Sequence, residues 1–276
     1  MTHSTAALVG ATGGAGATRL AVELGATLAR DGRDVAVLDV AFDTEGLARH
    51  VSGRIDPDVT ELLTDDSAGG DRLLSDALRD YDAASDLPGR FALCPAHAPF
   101  ERMARAKTAD AAQRFEELLA EAAERFDHVL VDAPPVAANQ AVAAVTAAER
   151  VAVVAPASER GVDAVQRTRG RIADVGASVD AVVANRVGAD HHPGDGDHPV
   201  RSADAVIPES DATSVESVPA SVGGRDAEPE PAFAPAVAHA AEVVFDAELG
   251  LEFEEAGLLD FDLDLDAEEF LPNALS

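Results

Sequence analysis

Lysine is all but absent from this sequence: Lys107 is the only one in 276 residues. Tryptophan is missing altogether, and Tyr81 and Cys94 are each the sole residue of their kind. A single cysteine excludes an internal disulfide and fits a reducing compartment, where Cys94 is expected to behave as a small buried hydrophobe. No apolar run reaches the roughly 18 residues of a membrane-crossing helix. The N-terminal Met1-Thr2-His3-Ser4 lacks a basic segment followed by an apolar one, so no signal peptide is expected. Both absences predict a soluble, cytoplasmic protein.

Positive charge is scarce as well. There are 51 acidic residues against 21 basic ones, for a formal net charge of −30. Arg160, Arg167, Arg169 and Arg171 form the only dense basic stretch, and a solvated helix face is the commoner meaning of such a run, so nucleic acid is not an expected partner. Acidity with almost no lysine looks like the proteome of a salt-loving archaeon, in which charge repulsion is screened over about 3 Å at 1 M salt. The charge is therefore read as solvation rather than as a partner signal.

What is present is an alternation of strand-like and helical patterns. Apolar runs at 5–10, 34–39, 90–94, 128–132, 150–155, 179–184 and 204–207 read as strands. Helical stripes between them include Leu20, Leu24 and Leu28, then Phe115, Leu118, Leu119 and Ala122, then Val162, Val165 and Ile172. This pattern predicts an α/β fold, a doubly wound and mostly parallel sheet with helices on both faces. Gly32 and Gly176 fall where helix C-termini want a left-handed residue. The domain is expected to span 1–246, with a short helix near 236–246 closing it and an irregular, loop-rich stretch at 188–235. Within that stretch His191, His192, His198, Asp195 and Asp197 carry metal-ligating chemistry, but no rigid element fixes them, so the loop reads as solvated. From 247 to 276 an acidic-hydrophobic tail alternates Leu259, Phe261, Leu263 and Leu265 with Asp260, Asp262, Asp264 and Asp266. Such a tail either orders on a protein partner or packs on its own domain.

The first strand runs into Gly10-Ala-Thr-Gly-Gly-Ala-Gly-Ala-Thr-Arg19, a glycine-rich strand-to-helix turn. Backbone N–H groups and a helix N-terminus can cradle phosphate there without a side chain. Taken alone, Val9 to Gly16 resembles the dinucleotide turn of short-chain dehydrogenases, with Gly10, Gly14 and Gly16 in place and Asp39 positioned for a ribose. That resemblance implies an NAD(P)-binding alternative. Those enzymes use a Tyr-x-x-x-Lys pair, whereas Tyr81 is followed four places on by Ser85.

Over residues 5–245 the chain resembles the ParA/MinD family of P-loop ATPases, which position chromosomes, plasmids, division sites and surface appendages. The family loop reads Lys-Gly-Gly-x-Gly-Lys-Thr-Thr, and the same frame here is Thr12-Gly13-Gly14-Ala15-Gly16-Ala17-Thr18-Arg19. Both lysines are replaced. The family's Asp-x-Asp block keeps Asp39 but has Ala41 where the second aspartate, associated with the attacking water, would stand. Phe126-Asp-His-Val-Leu-Val-Asp132-Ala-Pro-Pro135 is close to the family's Walker B form. Asn185-Arg186 matches the strand end that reads adenine, and Ile207-Pro208-Glu209 matches the segment lining the base from the other side.

The resemblance implies a site for ATP or ADP with Mg²⁺. Gly13, Gly14, Ala15, Gly16, Ala17 and Thr18 would hold phosphates, with Arg19 beside them. Asn185, Arg186 and Pro208 would hold the base, and Thr18, Asp39 and Asp132 the metal. It also implies a loss. The loop lysine donates charge-assisted hydrogen bonds worth about 1.5–3 kcal/mol each, so ATP should bind about ten- to a hundredfold more weakly. The lysine at position 12 crosses the family's dimer to the partner's phosphates, and such a donor is worth about 10²–10³ in rate. The expected function is a degenerate regulator or scaffold in cellular positioning, with little or no hydrolysis. An active ATPase switch with a noncanonical loop is the alternative within the family. A homodimer or a heterodimer with a catalytic relative is implied. A MinD-type membrane tail is not, because no Lys or Arg follows Arg225.

Overall fold

The computed structural model describes residues 3–64, 73–188, 200–223 and 228–253. Among them are eight strands: β1 (Ser4–Gly10), β2 (Val35–Asp39), β3 (Arg79–Asp80), β4 (Phe91–Cys94), β5 (His128–Ala133), β6 (Arg150–Pro156), β7 (Ala181–Val187) and β8 (Ala205–Pro208). Helices α1 (Ala17–Arg30), α2 (Val59–Thr64), α3 (Leu74–Ala77), α4 (Phe100–Arg105), α5 (Ala109–Ala123), α6 (Asn139–Ala147), α7 (Glu159–Asp174) and α8 (Phe233–Phe245) connect and cover them.

One sheet runs in the order β3-β4-β2-β5-β1-β6-β7-β8. All pairings are parallel except β3 with β4. The strands are apolar on both faces because helices cover both, and alternate residues divide between two cores. Ala7 and Val9 face Phe115, Leu119, Val165 and Ile172 on one side. Ala6 and Leu8 face Leu20, Leu24, Val237 and Val244 on the other. Leu24 and Leu28 are wholly buried, and each such side chain contributes roughly 1.5–3 kcal/mol. Cys94 lies in the core, where burial pushes its thiol up.

Two elements differ from the sequence reading, and the start of the tail takes one of the two courses open to it. The antiparallel edge strand β3 went unread because two residues carry no period. Helix α8 begins at Phe233, before Pro235. That proline sits in the first turn, where its missing N–H has no intrahelical partner to lose. The first residues of the acidic tail lie on the domain: Gly250 donates to Asp31 Oδ1 at 2.8 Å, and Arg30 lies 5.4 Å from the centre of the Phe253 ring. The rest of the tail, 254–276, and the histidine-rich loop residues 189–199 lie outside the described residues. Gly32 and Gly176 take φ of 83° and 84° after α1 and α7.

The sheet order places the site. Strand β5 lies between β1 and β2, so the carboxyl ends of three strands meet beside the glycine-rich turn. In open α/β sheets, ligands bind outside the carboxyl ends of strands, where the winding changes direction.

Candidate functional site

The turn after β1 is shaped by its own backbone. Ala11 N–H donates to Val154 O at 2.8 Å and Ala15 N–H to Thr12 O at 3.2 Å, which fixes both ends of the loop. Gly13 and Gly14 are exposed and Ala15 is buried. Gly16 precedes α1 with φ 89°, and no side chain caps the helix. The unpaired N–H groups of the first turn are therefore available to an anion. Gly16 is constrained twice, since a Cβ there would stand 2.4 Å from Asn185 Nδ2 as well as needing the left-handed backbone.

Asn185, near the end of β7, is 8% exposed. It donates from Nδ2 to Ala15 O at 2.9 Å and accepts from Arg186 N–H at Oδ1, also 2.9 Å. One N–H and one lone pair of its amide remain for a ligand. Arg186 takes φ 59° where the β7–β8 register shifts.

Two carboxylates meet on the other side of the turn. Asp39 and Asp132 are register partners on β2 and β5, 0% and 1% exposed. Asp39 accepts from Ala41 N–H at 2.9 Å and Ala96 N–H at 3.3 Å. Burial first, and the neighbouring Asp132 charge second, hold its carboxyl well above the usual range. Burial pushes Asp132 up to about 6, opposed by a hydrogen bond from the Thr18 hydroxyl. Its Oδ2 is buried with no hydrogen-bond partner. A buried, unpartnered carboxylate oxygen next to a second carboxylate and a hydroxyl is a hard-oxygen donor set that fits Mg²⁺. Thr18, Asp39 and Asp132 would hold it, and the ion would neutralise charge on a phosphate. The loop after β2 closes over this corner, since a Cβ on Gly46 would come within 2.9 Å of Thr18 Cγ2.

The positions of the missing groups are also visible. Ala17 opens α1 at 9% exposure, and Ala41 is 6% exposed beside the N–H it gives to Asp39. The only lysine serves elsewhere. Lys107 Nζ lies 2.5 Å from Asp43 Oδ1, and its backbone carbonyl accepts from Asn139 Nδ2 at 3.0 Å. It thus ties the loop after β2 to the start of α6, a link that sequence gave no signal for because Lys107 belongs to no motif.

Arg19 turns away from the phosphate loop. Its guanidinium donates to Ser210 Oγ at 2.7 Å and to Ala212 O, and lies 5.5 Å from the Phe233 ring centre. With Gly16, Asn185, Arg186 and Pro208 it lines a cavity of about 30 Å³. All the sequence-predicted positions thus gather at the carboxyl end of the sheet, with Arg19 beside Asn185, Arg186 and Pro208.

A family model described as an AAA domain matches residues 4–181. The chain belongs to this AAA-domain family. Solved structures place the family member's fold. The septum site-determining protein MinD with Mg-ADP from Pyrococcus horikoshii aligns at a TM-score of 0.66 and 19% identity, over 88% of this chain and 95% of that one. The MinC:MinD cell division complex of Aquifex aeolicus gives 0.65 and 20%, over 90% and 98%. Apo McdA of Cyanthece gives 0.58 and 19%, over 75% and 86%. No curated protein matches by sequence. The fold is the MinD-type P-loop fold, as the motif resemblance implied.

This AAA-domain architecture corrects the dehydrogenase alternative. A dinucleotide fold pairs its first two strands directly, whereas here β5 separates β1 from β2. Asp39 is also closed to solvent and bonded to two backbone N–H groups, so it does not face a ribose. Among the described residues no group of three or more His, Cys, Asp or Glu could hold a metal, and no helix is long and apolar enough to cross a membrane.

Proposed function

We propose that this protein is a ParA/MinD-like, nucleotide-responsive regulator or scaffold of cellular positioning (partitioning, division or surface-appendage placement) that turns over ATP slowly or not at all. The carrying observation is the unpartnered, buried Asp132 Oδ2 beside Thr18 and Asp39, in a site with no lysine at 12 or 17 and no carboxylate at 41. Metal-binding hardware is present while the groups that act on the transition state are absent. A buried ionised carboxylate costs stability unless something pairs with it, so Mg²⁺ with ATP or ADP is the proposed ligand, held more weakly than in relatives with the lysines.

The similar MinD and McdA chains support the positioning context, and the Aquifex MinC:MinD complex supports a protein partner. Dimerisation, with itself or with a catalytic relative, belongs to the same reading. The acidic tail is proposed to recruit the partner. A truncation that tests this is made after Phe253, because Gly250 and Phe253 contact Asp31 and Arg30 at the end of α1.

The test is thermal stability in concentrated salt with Mg²⁺, titrating ATP, ADP and NADH, since a ligand that binds only the folded state raises its melting temperature. A rise with ATP or ADP and none with NADH supports the proposal. No rise with either adenine nucleotide would leave function to the surface and tail alone.

A further inference from the structure

The nucleotide reading puts a purine between Asn185 and the Ile207–Glu209 segment, and the inference here rests on that reading. The cavity at this place has a volume of about 30 Å³, room for a few water molecules at most and not for a purine. Beside Asn185, Arg186, Ile207 and Pro208, it is lined by Arg19. The family motif has a threonine at this position, so the bulk comes from this chain's own sequence.

We propose that Arg19 is a built-in plug of the base pocket, and that nucleotide enters only when the segment after β8 lets the guanidinium go. The side chain is tethered to Ser210 Oγ, Ala212 O and the face of Phe233, and it reaches Glu23 Oε1 at 3.4 Å. Glu23 is wholly buried one helical turn on. It also accepts from Ala220 N–H at 3.1 Å and Ser221 N–H at 2.9 Å. Ser210 in turn donates to Glu230 Oε1 at 2.8 Å. One polar network therefore fastens both ends of the 210–221 segment to α1, with Arg19 at its pocket end. Buried charge makes the closed arrangement self-reinforcing, because withdrawing Arg19 strips Glu23 of its cation. Apparent affinity for the nucleotide is then the intrinsic affinity scaled by the fraction of molecules in which the pocket is open.

The experiment compares ATP with inorganic tripolyphosphate, each with Mg²⁺, on wild type, Arg19→Thr and Ser210→Ala. Tripolyphosphate reports the phosphate loop without the base pocket. The expected result is ATP bound at least about tenfold more tightly by Arg19→Thr, a smaller gain in the same direction for Ser210→Ala, and tripolyphosphate affinity equal in all three. Affinities are read against each variant's own stability. Should Arg19→Thr fail to fold for want of a partner to Glu23, Ser210→Ala, which keeps that pair, decides the matter. Equal ATP affinity in wild type and variants would overturn the plug while leaving the nucleotide reading intact. Weaker ATP binding by Arg19→Thr would make Arg19 a ligand contact and also overturn it. Failure of tripolyphosphate to bind any of the three would remove the nucleotide reading, and the plug with it.

Discussion

Asp39 and Asp132 face each other across the β2–β5 pairing as register partners, both shut away from solvent. Two buried carboxylates in one place repel and resist ionisation. The arrangement costs stability by itself, and the proposed Mg²⁺ would offset that cost.

Asp132→Asn should therefore raise the stability of the metal-free protein while removing its response to Mg²⁺. With Asp132 at about 6 against an ordinary 3.8, the gain at neutral pH is roughly 1–3 kcal/mol. Urea unfolding with and without Mg²⁺ checks both halves. The sign for pH follows. The native state holds the Asp132 proton between about 3.8 and 6 while the unfolded chain has lost it, so this group's contribution to stability declines as pH rises through that window. Stabilisation by Mg²⁺ should correspondingly strengthen above about pH 6, as the competing proton leaves.

Gly16→Ala should cost roughly 2–4 kcal/mol in chemical denaturation, combining a left-handed backbone with a Cβ against Asn185. Adding Asn185→Ala should recover the steric part only. Full recovery would mean that the backbone conformation carries no cost.

His50 gives a pH prediction of opposite sign. Burial, then the charges of Arg19 and Arg49, lower it to about 4 from an ordinary 6.5, and its Nδ1 has no partner. Between those values the unfolded chain takes up a proton that the native state refuses, so stability falls as pH drops from 6.5 toward 4. His50→Gln should lose less stability than wild type between pH 7 and 5 in urea titrations at fixed salt. An identical loss in both would show that His50 is not charged preferentially in the unfolded state.

Ala17→Lys returns a lysine to the first position of α1, next to the phosphate cradle. ATP affinity should rise about ten- to a hundredfold by titration. An unchanged affinity would mean that phosphate does not sit where the loop suggests.

Much of the fold was legible because long apolar strands alternating with amphipathic helices admit few arrangements. Ala6-Ala7-Leu8-Val9 and the Leu20, Leu24, Leu28 stripe are buried on the faces their spacing implies. β3 was not legible, since its two residues pair only through the company of β4. The helix expected near 236–246 starts earlier, at Phe233, because Pro235 is a first-turn residue and does not end the irregular stretch. For the candidate site, fixed spacing singled out the loop and the carboxylates, and the structure brings them together at the ends of β1, β2 and β5. Sequence had no means of showing that Glu23, a charged residue on a core-facing helix, is wholly buried. That burial is sustained by donors from Ala220 and Ser221, nearly two hundred residues away. The same long-range network gives Arg19 its place.

The central claim, a retained Mg²⁺ and phosphate site without the groups for turnover, meets its most direct test in one assay. Phosphate release from millimolar Mg²⁺-ATP is followed for wild type beside Thr12→Lys/Ala17→Lys/Ala41→Asp. The account predicts that wild type is at least about a hundredfold slower than the triple variant, in keeping with the loss of several transition-state contacts. Wild type hydrolysing ATP as fast as the triple variant would contradict it.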